Sequence, residues 1–415
     1  MDKLIYRIED SPKSIKEYLL YGAQQCLSIL TATILISTIC GTNVSAGFVG
    51  AGVATITFLI LTGFKAPLFF SNSGSTCAAV ITALAIGHDY TGVILGGITV
   101  CLMNTVAALI TKKVGSDWVN KLLPPVVSGS IVTIIGLNLA GFCATYVGMG
   151  NEGELIRVFI AFCTMLITVL TMHYSKGMLK TLPFLIGALG GYLLSLIFGL
   201  VDFSVFNNLK LITLPDFAFL HVDFKEFDWL TLPTIIITFG AVNLANLGEH
   251  ISDILAVSSI VDEDLTKSVG LHKTFFGDGV ADLVGTFIGG QPTTTYSESL
   301  STIAVSKVAS TKVILVAALM TILLGFFGPL QVFILSIPNC VFGGIALVAY
   351  GMIAASGIKI LSTVNYNHQK NVIITATMLT IGVSGVAFNI GQFTLGTIAL
   401  SMISGLIINL LLKDV

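Results

Sequence analysis

The chain has 415 residues, of which 54% are hydrophobic and only 10% charged, with a formal net charge of -2 and a mean hydropathy of +0.95. A soluble domain carries roughly 25% charged residues to cover its surface, so a water-soluble fold is excluded and a polytopic membrane protein is implied. The balanced charge says nothing about partners and gives no reason to expect nucleic acid.

The N-terminus, residues 1–18, is charged and runs into a long apolar stretch with no small-residue cleavage site after it. It reads as an uncleaved cytoplasmic tail, not a signal peptide. Apolar stretches near the ~20 residues that cross a bilayer then follow at 17–40, 47–64, 68–87, 91–111, 122–142, 154–173, 179–201, 229–257, 273–289, 291–307, 312–335, 337–361, 371–388 and 393–412. With fourteen spans and the N-terminus inside, every Lys and Arg except Arg157, Lys210 and Lys225 falls on the cytoplasmic side. That asymmetry supports both the count and the orientation, with both termini cytoplasmic in a multi-pass cell-membrane protein. The seven cysteines, at 26, 40, 77, 101, 143, 163 and 340, form no CxxC pair and lie almost all in apolar stretches. They read as small core residues, neither a disulfide framework nor a metal site.

Spans three and ten differ from the rest. Span three opens Ala66-Pro67-Leu68-Phe69-Phe70-Ser71-Asn72-Ser73-Gly74, and span ten opens Gly290-Gln291-Pro292-Thr293-Thr294-Thr295-Tyr296-Ser297-Glu298. Each starts at a proline, continues through β-branched, aromatic and polar residues, and turns helical after a small residue. Such stretches predict an extended segment followed by a half-helix, which a bilayer tolerates only where protein buries the backbone or a cavity receives it; two helices that merely kink are the plainer reading. The separation of Gly74 from Glu298 equals that of Gln25 from Glu249, and Pro67 and Pro292 stand one residue further apart. Seven spans is an odd number, so a duplicated half would be inserted upside down. Paired interrupted helices in matching halves point to a secondary transporter's binding site.

Span eight carries Asn246-Leu247-Gly248-Glu249-His250-Ile251-Ser252-Asp253. An ionisable group at that depth costs roughly 2.5–3.5 kcal/mol and is by default functional, and no Lys or Arg in the stretch neutralises it. Glu249 and Asp253 are four apart and share a helical face. Two carboxylates that close are not both ionised cheaply, which makes the pair a proton carrier; Asp253 serves either as a proton site or as a structural partner of Glu249. Glu298 stands where the span-ten half-helix begins, a position that favours negative charge or an incoming carbonyl oxygen. His250 lies roughly 100° around the helix and packs elsewhere. Asp278 and Asp282 read as structural, with Asp278 near enough to the cytoplasmic end to be hydrated, and 262–264 reads as a solvated loop. Carboxylate acceptors beside free backbone N–H donors suit an uncharged, compact ligand with N–H next to C=O. No cofactor or metal is expected, and with neither HExxH nor GxSxG in the chain, nor an enzyme.

At these residues the chain resembles the nucleobase–ascorbate, or nucleobase:cation symporter-2, family, and within it the bacterial uracil-transporting members. The resemblance runs nearly full length and rests on Gly248-Glu249-His250, Gly270-Leu271-His272, Gly277-Asp278-Gly279, Thr294-Thr295-Tyr296-Ser297-Glu298, Ser336-Ile337-Pro338 and Tyr350-Gly351. It implies an all-α membrane fold of fourteen spans in a seven-plus-seven inverted repeat. Spans 1–4 (1–112) and 8–11 (229–335) would form a core domain, and spans 5–7 (113–228) and 12–14 (336–415) a gate domain through which such proteins often dimerise. It further implies import of uracil or a related pyrimidine with protons, or sodium, by alternating access. Glu249 and Glu298 would bind the base, Ser73, Gly74 and Ser297 would supply donors, Tyr350 would face the site from the gate side, and Gln25 would stand in the span-one position. Asp253 replaces the histidine usual in uracil members and matches purine members, whereas Glu298 matches uracil members. Gly74 stands where an aromatic is expected, which enlarges the pocket and leaves a purine symporter as the alternative. An anion exchanger or channel on the related fold is the rival from another class, and it would want a basic or neutral group in place of Glu298.

Overall fold

In a bilayer every backbone N–H and C=O must find its partner within the chain, and an apolar run does so most simply as a helix. The structure, a computed structural model, describes residues 4–87, 89–115, 117–148, 155–390 and 393–412. Lys3 and Lys413, placed above on the cytoplasmic side, and residue 154 at the head of span six lie outside the described residues. The long helices are α1 (Ile15–Cys40), α2 (Val44–Leu61), α4 (Thr91–Val114), α6 (Pro125–Val147), α7 (Leu155–Tyr174), α9 (Leu232–Val261) and α14 (Asn339–Leu361). These seven are long and apolar enough to cross a membrane. Between them lie α3 (Cys77–Gly87), α5 (Asp117–Leu122), α8 (Pro183–Ile197), α10 (Leu271–Gly289), α11 (Ser297–Ser306), α12 (Thr311–Phe326), α13 (Gly328–Ser336), α15 (Gln369–Val383) and α16 (Thr397–Leu411). The protein is therefore a mostly helical, multi-pass membrane protein.

Local chemistry sets the helix ends. Ser14 caps α1 by accepting from the Glu17 N–H, and α1 stops at Gly41, whose φ of 71° is left-handed. Asn43 caps α2 by accepting from the Ala46 N–H. The stretch 312–335 is broken in two: Phe327 is extended, and Pro329 brings no N–H to continue the ladder. The Gly328 N–H donates instead to Leu211 O at 3.1 Å in the loop before α9. Expected spans thirteen and fourteen are shortened, because Phe388–Ile390 (β3) and Phe393–Leu395 (β4) pair as an antiparallel hairpin between their helices.

The helices fall into two groups by contact. In one, α10 packs on α2 and α4, α12 packs on α1 and α2, and α4 packs on α9; in the other, α14 packs on α6 and α7, and α15 on α6 and α16. Small residues allow these approaches, as membrane interfaces require. A Cβ on Gly50 would sit 2.9 Å from the Gly285 carbonyl, and one on Gly129 would sit 3.0 Å from that of Gly357.

The extended segments expected in spans three and ten are strands β1 (Phe70–Asn72) and β2 (Thr293–Thr295). They pair antiparallel with Phe70 opposite Thr295 and Asn72 opposite Thr293. The Ser73 N–H donates to Pro292 O at 2.9 Å and the Tyr296 N–H to Phe69 O at 3.1 Å, extending the ladder at both ends. All six strand residues are buried. Their anchors are the Thr33–Ser71 hydroxyl contact at 2.6 Å, the Phe70 N–H to Thr55 Oγ1 at 3.0 Å, and Asn72 Nδ2 to Ser37 Oγ at 2.7 Å.

One feature corrects the sequence expectations. Cys40 at the end of α1 and Cys77 at the start of α3 form a disulfide, with Cα atoms 5.7 Å apart. The half-helix folds back against α1 and brings together cysteines that no motif spacing links. The N-terminal tail is docked on the bundle: the Ile5 N–H donates to Lys307 O at 2.8 Å, the Ala309 N–H to Tyr6 O at 2.9 Å and the Thr311 N–H to Ile8 O at 3.0 Å. It straps the end of α11.

Candidate functional site

The site is built on one face of α9 where that face meets the two broken helices. Asn246, Glu249 and Asp253 stand three and four residues apart and so share that face. At one end Ser75 Oγ, just before α3, donates to Asn246 Oδ1 at 2.6 Å. At the other, Thr295 Oγ1 donates to Asp253 Oδ2 at 2.5 Å and Ser297 Oγ to Asp253 Oδ1 at 3.2 Å. Glu249 lies between these two joints, with exposed surface although it is mid-helix. The acidic side chains in its surroundings are those of Asp253, Glu298 and Asp278. Among the described residues neither Glu249 nor Glu298 hydrogen-bonds another side chain.

Backbone donors complete the arrangement. Among the described residues the N–H groups of Gly74, Ser75 and Thr76 carry no bond, and at the head of α11 the Ser297 N–H is likewise free. Helix starts leave such donors by geometry, and their dipoles favour an electron-rich partner. The joint offers acceptors on Glu249 and Glu298 opposite donors on two half-helix starts.

The remaining sequence-expected residues take distinct places. Ser73 is fully buried, its N–H is used by Pro292, and its hydroxyl touches Ser75 Oγ at 2.8 Å. Gly74 is buried, and the space expected there is filled: a Cβ would stand 3.2 Å from Ile36 Cδ1 and 3.5 Å from Ile353 Cδ1. Gln25 is 2% exposed and turned onto α11, accepting from Ser299 Oγ at 2.8 Å and donating to Ser299 O at 3.4 Å. Both ends of its amide are engaged, so it braces the half-helix. Tyr350, on α14, is 1% exposed, and its hydroxyl has no partner. Asp278 is buried rather than hydrated: Oδ1 lies 3.1 Å from His250 Nδ1, and Oδ2 accepts from Asn104 Nδ2 at 2.8 Å. His250 packs edge-on to Phe58, away from Glu249. Asp282 accepts from Thr293 Oγ1 at 3.1 Å, tying α10 to β2. Sequence reasoning missed Asn246 and Ser75; the signal for Asn246 was its place one turn before Glu249 on the same face. Among the described residues no group of three or more His, Cys, Asp or Glu side chains could hold a metal ion.

A stripe of exposed positions leads away from Glu249 along α9 through Ser252, Ala256 and Ser259, and along α11 through Ser297, Ser301 and Ala304. Both stripes run toward the helix ends that Lys267 and Lys307 follow. Tyr146, on α6, donates its hydroxyl to Thr38 O on α1 at 3.0 Å, and Ile36, Gly74 and Tyr350 are buried.

A helical membrane bundle whose two broken helices meet beside Glu249 and Glu298, carboxylates with no side-chain hydrogen bond among the described residues, has the architecture of a membrane transporter. Comparison with known proteins narrows this. The model of the Permease family matches residues 16–391, and the chain belongs to that family. It is 34% identical over 420 residues to the uracil permease of Bacillus caldolyticus, covering 99% of this chain and 95% of that one. It is 34% identical over 397 residues to the uracil permease of Escherichia coli K12, covering 94% and 90%, and 30% identical over 406 residues to the putative pyrimidine permease RutG of the same organism, covering 94% and 88%. Among solved structures the fold is similar to the transmembrane domain of the cyanobacterial bicarbonate transporter BicA, with a TM-score of 0.63 at 15% identity, covering 97% and 98%. It is also similar to murine Slc26a9, an anion transporter in the inward-facing state, with a TM-score of 0.67 at 10% identity, covering 97% and 69%.

Proposed function

We propose that the protein imports a nucleobase, uracil or a related pyrimidine, together with protons by alternating access. The observation that carries this is Glu249, an exposed carboxylate without a protein partner, facing Glu298 and the free N–H groups of two half-helix starts. A lone carboxylate in that setting is costly unless a ligand or proton satisfies it. A uracil ring offers what the joint lacks, N–H donors for the carboxylates and C=O acceptors for the backbone. The near-full-length similarity to uracil permeases supports the same ligand. Ile36 and Ile353 against Gly74 favour a single ring over a purine.

The two helix groups support a core, with spans 1–4 and 8–11, that moves against a gate, with spans 5–7 and 12–14. The antiparallel crossing of β1 and β2 supports two inverted halves of seven spans each, with both termini cytoplasmic. In this reading Asp253 holds the span-ten corner through two hydroxyls, and Glu249 takes the proton or the substrate N–H. An anion exchanger is disfavoured, because Glu249 and Glu298 would repel the cargo and the likeness to anion transporters is one of fold. The test is binding by purified protein of uracil, thymine, cytosine, xanthine, hypoxanthine, guanine and urate, with Glu249→Gln as the comparison. Uracil binding should weaken by about 1.5–3 kcal/mol in the variant, the value of a hydrogen bond to a charged group. Absence of binding across the panel overturns the reading.

A further inference from the structure

Two packed helices, α4 and α10, end in cations on the same side. Gly97 lies against Thr286 and Gly279 against Asn104, where an added Cβ would come within 2.8 Å and 2.7 Å. These contacts set the two helices antiparallel. The last turn of α4, with Lys112 and Lys113, therefore meets the first turn of α10, with His272 and Lys273. The charged groups in the surroundings of His272 are Lys112 and Lys273, with no carboxylate among them. Lys112, Lys113 and Lys273 are exposed, and among the described residues none of them forms an ion pair. Lys267 differs, since it is paired with Asp264 at 3.1 Å.

The surface that leads to these cations is apolar. Leu102, Val106 and Leu109 are exposed on α4 at intervals of four and three, and Lys113 continues the same stripe. On α10 the exposed Phe276 stands three residues from Lys273, on the same face. In a bilayer such stripes face acyl chains, and lysines at their ends reach the headgroup level. Trp118, on α5, is half-buried and donates its Nε1–H to Thr111 Oγ1 at 3.1 Å, which places an indole one residue from Lys112. Tryptophan is enriched at that depth because its ring is apolar and its N–H polar. Lysines lie on this side along the whole chain, but here they converge from two helices without an acid to answer them. Such a cluster repels itself until an anion bridges it.

We propose that the adjoining ends of α4 and α10 bind the headgroup of an anionic phospholipid, with its phosphate among Lys112, Lys113 and Lys273 and its chains along the Leu102–Leu109 stripe. Charge complementarity selects an anionic lipid over a zwitterionic one, and the apolar stripes select a lipid over free phosphate. A basic pocket between helices at the end assigned to the cytoplasm suits this class of ligand. None of its residues belongs to the joint around Glu249 and Glu298, so lipid and cargo are read separately.

The experiment is binding of dioleoyl phosphatidylglycerol and dioleoyl phosphatidylcholine to the purified full chain in neutral detergent, read by native mass spectrometry. The wild type should bind phosphatidylglycerol at least about tenfold more tightly, since each lysine near an anionic headgroup is worth about fivefold. Lys112→Gln/Lys113→Gln/Lys273→Gln should abolish the preference, and Lys112→Arg/Lys113→Arg/Lys273→Arg should keep it. Lys176→Gln/Lys180→Gln/Lys359→Gln removes the same charge from exposed positions elsewhere on that side and should leave the preference within twofold of wild type. A wild type without preference, or a preference that survives the first triple variant, overturns the proposal. Equal loss in the two glutamine variants overturns it in favour of diffuse surface charge, and loss in the arginine variant shows that charge is not what binds. Displacement of phosphatidylglycerol by inorganic phosphate at the lipid's own concentration makes the cluster a site for a free anion and overturns the lipid assignment.

Discussion

Glu249 and His250 are neighbours in sequence, yet they face opposite problems. Glu249 looks into open space, whereas His250 looks back into the bundle, where its Nδ1 lies 3.1 Å from Asp278 Oδ1 and Phe58 and Phe275 flank the ring. Asp278 is held in turn by Asn104, and Asn104 Oδ1 accepts from Asn243 Nδ2 at 2.8 Å, so α4, α9 and α10 are joined by one polar chain. Removing one partner of a buried pair leaves the other uncompensated and costs about 3–5 kcal/mol. Asp278→Ala is therefore expected to lower the thermal midpoint of the detergent-solubilised protein sharply. The double variant with His250→Leu should recover part of the loss, because replacing both partners by apolar groups is far cheaper than stranding one. An unchanged midpoint in Asp278→Ala would show that the pair holds nothing together.

Whole elements follow from the sequence where a local rule decides them. Apolar runs become helices because the bilayer leaves the backbone no alternative, and Pro67 and Pro292 precede strands because each proline ends helical propagation and the β-branched and aromatic residues after it favour extension. The carboxylate pair on α9 was legible for the same reason, since a helix period places Glu249 beside Asp253. What was not legible is what joins element to element. Gln25 reaches Ser299 across 274 residues, Ser75 reaches Asn246 across 171, and Cys40 reaches Cys77 across 37. None of these pairs carries a spacing that marks it, because their proximity is set by how half-helices fold back on whole ones. Gln25, expected at the substrate, has both ends of its amide on Ser299 of the half-helix. The disulfide makes a direct prediction. Denatured without reductant, the chain of seven cysteines should titrate five thiols, those of Cys26, Cys101, Cys143, Cys163 and Cys340, and seven after reduction. Seven before reduction would leave α3 held by packing alone. With the loop closed between residues 40 and 77, the chain-entropy value of the link is about 4 kcal/mol.

At the scale of the molecule the question is which way the site opens. Exposed positions on α9 and α11 lead from Glu249 to the ends followed by Lys267 and Lys307, the side that the distribution of basic residues assigns to the cytoplasm. On the opposite side Ile36 and Ile353 pack against Gly74, and the Tyr146 hydroxyl donates to Thr38 O, a contact that joins the two helix groups. Under the proposed orientation and alternating access, this arrangement is the inward-open one, and transport would also require a state in which the Tyr146 contact is broken and the α9 stripe is covered. Single cysteines at Ser252→Cys and Ser301→Cys, in a background without other reactive thiols, should therefore react with a membrane-impermeant thiol reagent in inverted vesicles and not in right-side-out cells. Tyr146→Phe removes one hydrogen bond, worth about 1 kcal/mol, that is made in the inward-open state. It should lower the inward-open population, and with it the labelling rate at Ser252→Cys, up to about fivefold where that state is the minor one. Equal labelling from both sides would mean that the stripes face lipid or a through-pore, and the conformational cycle would have to be rebuilt around a different closure.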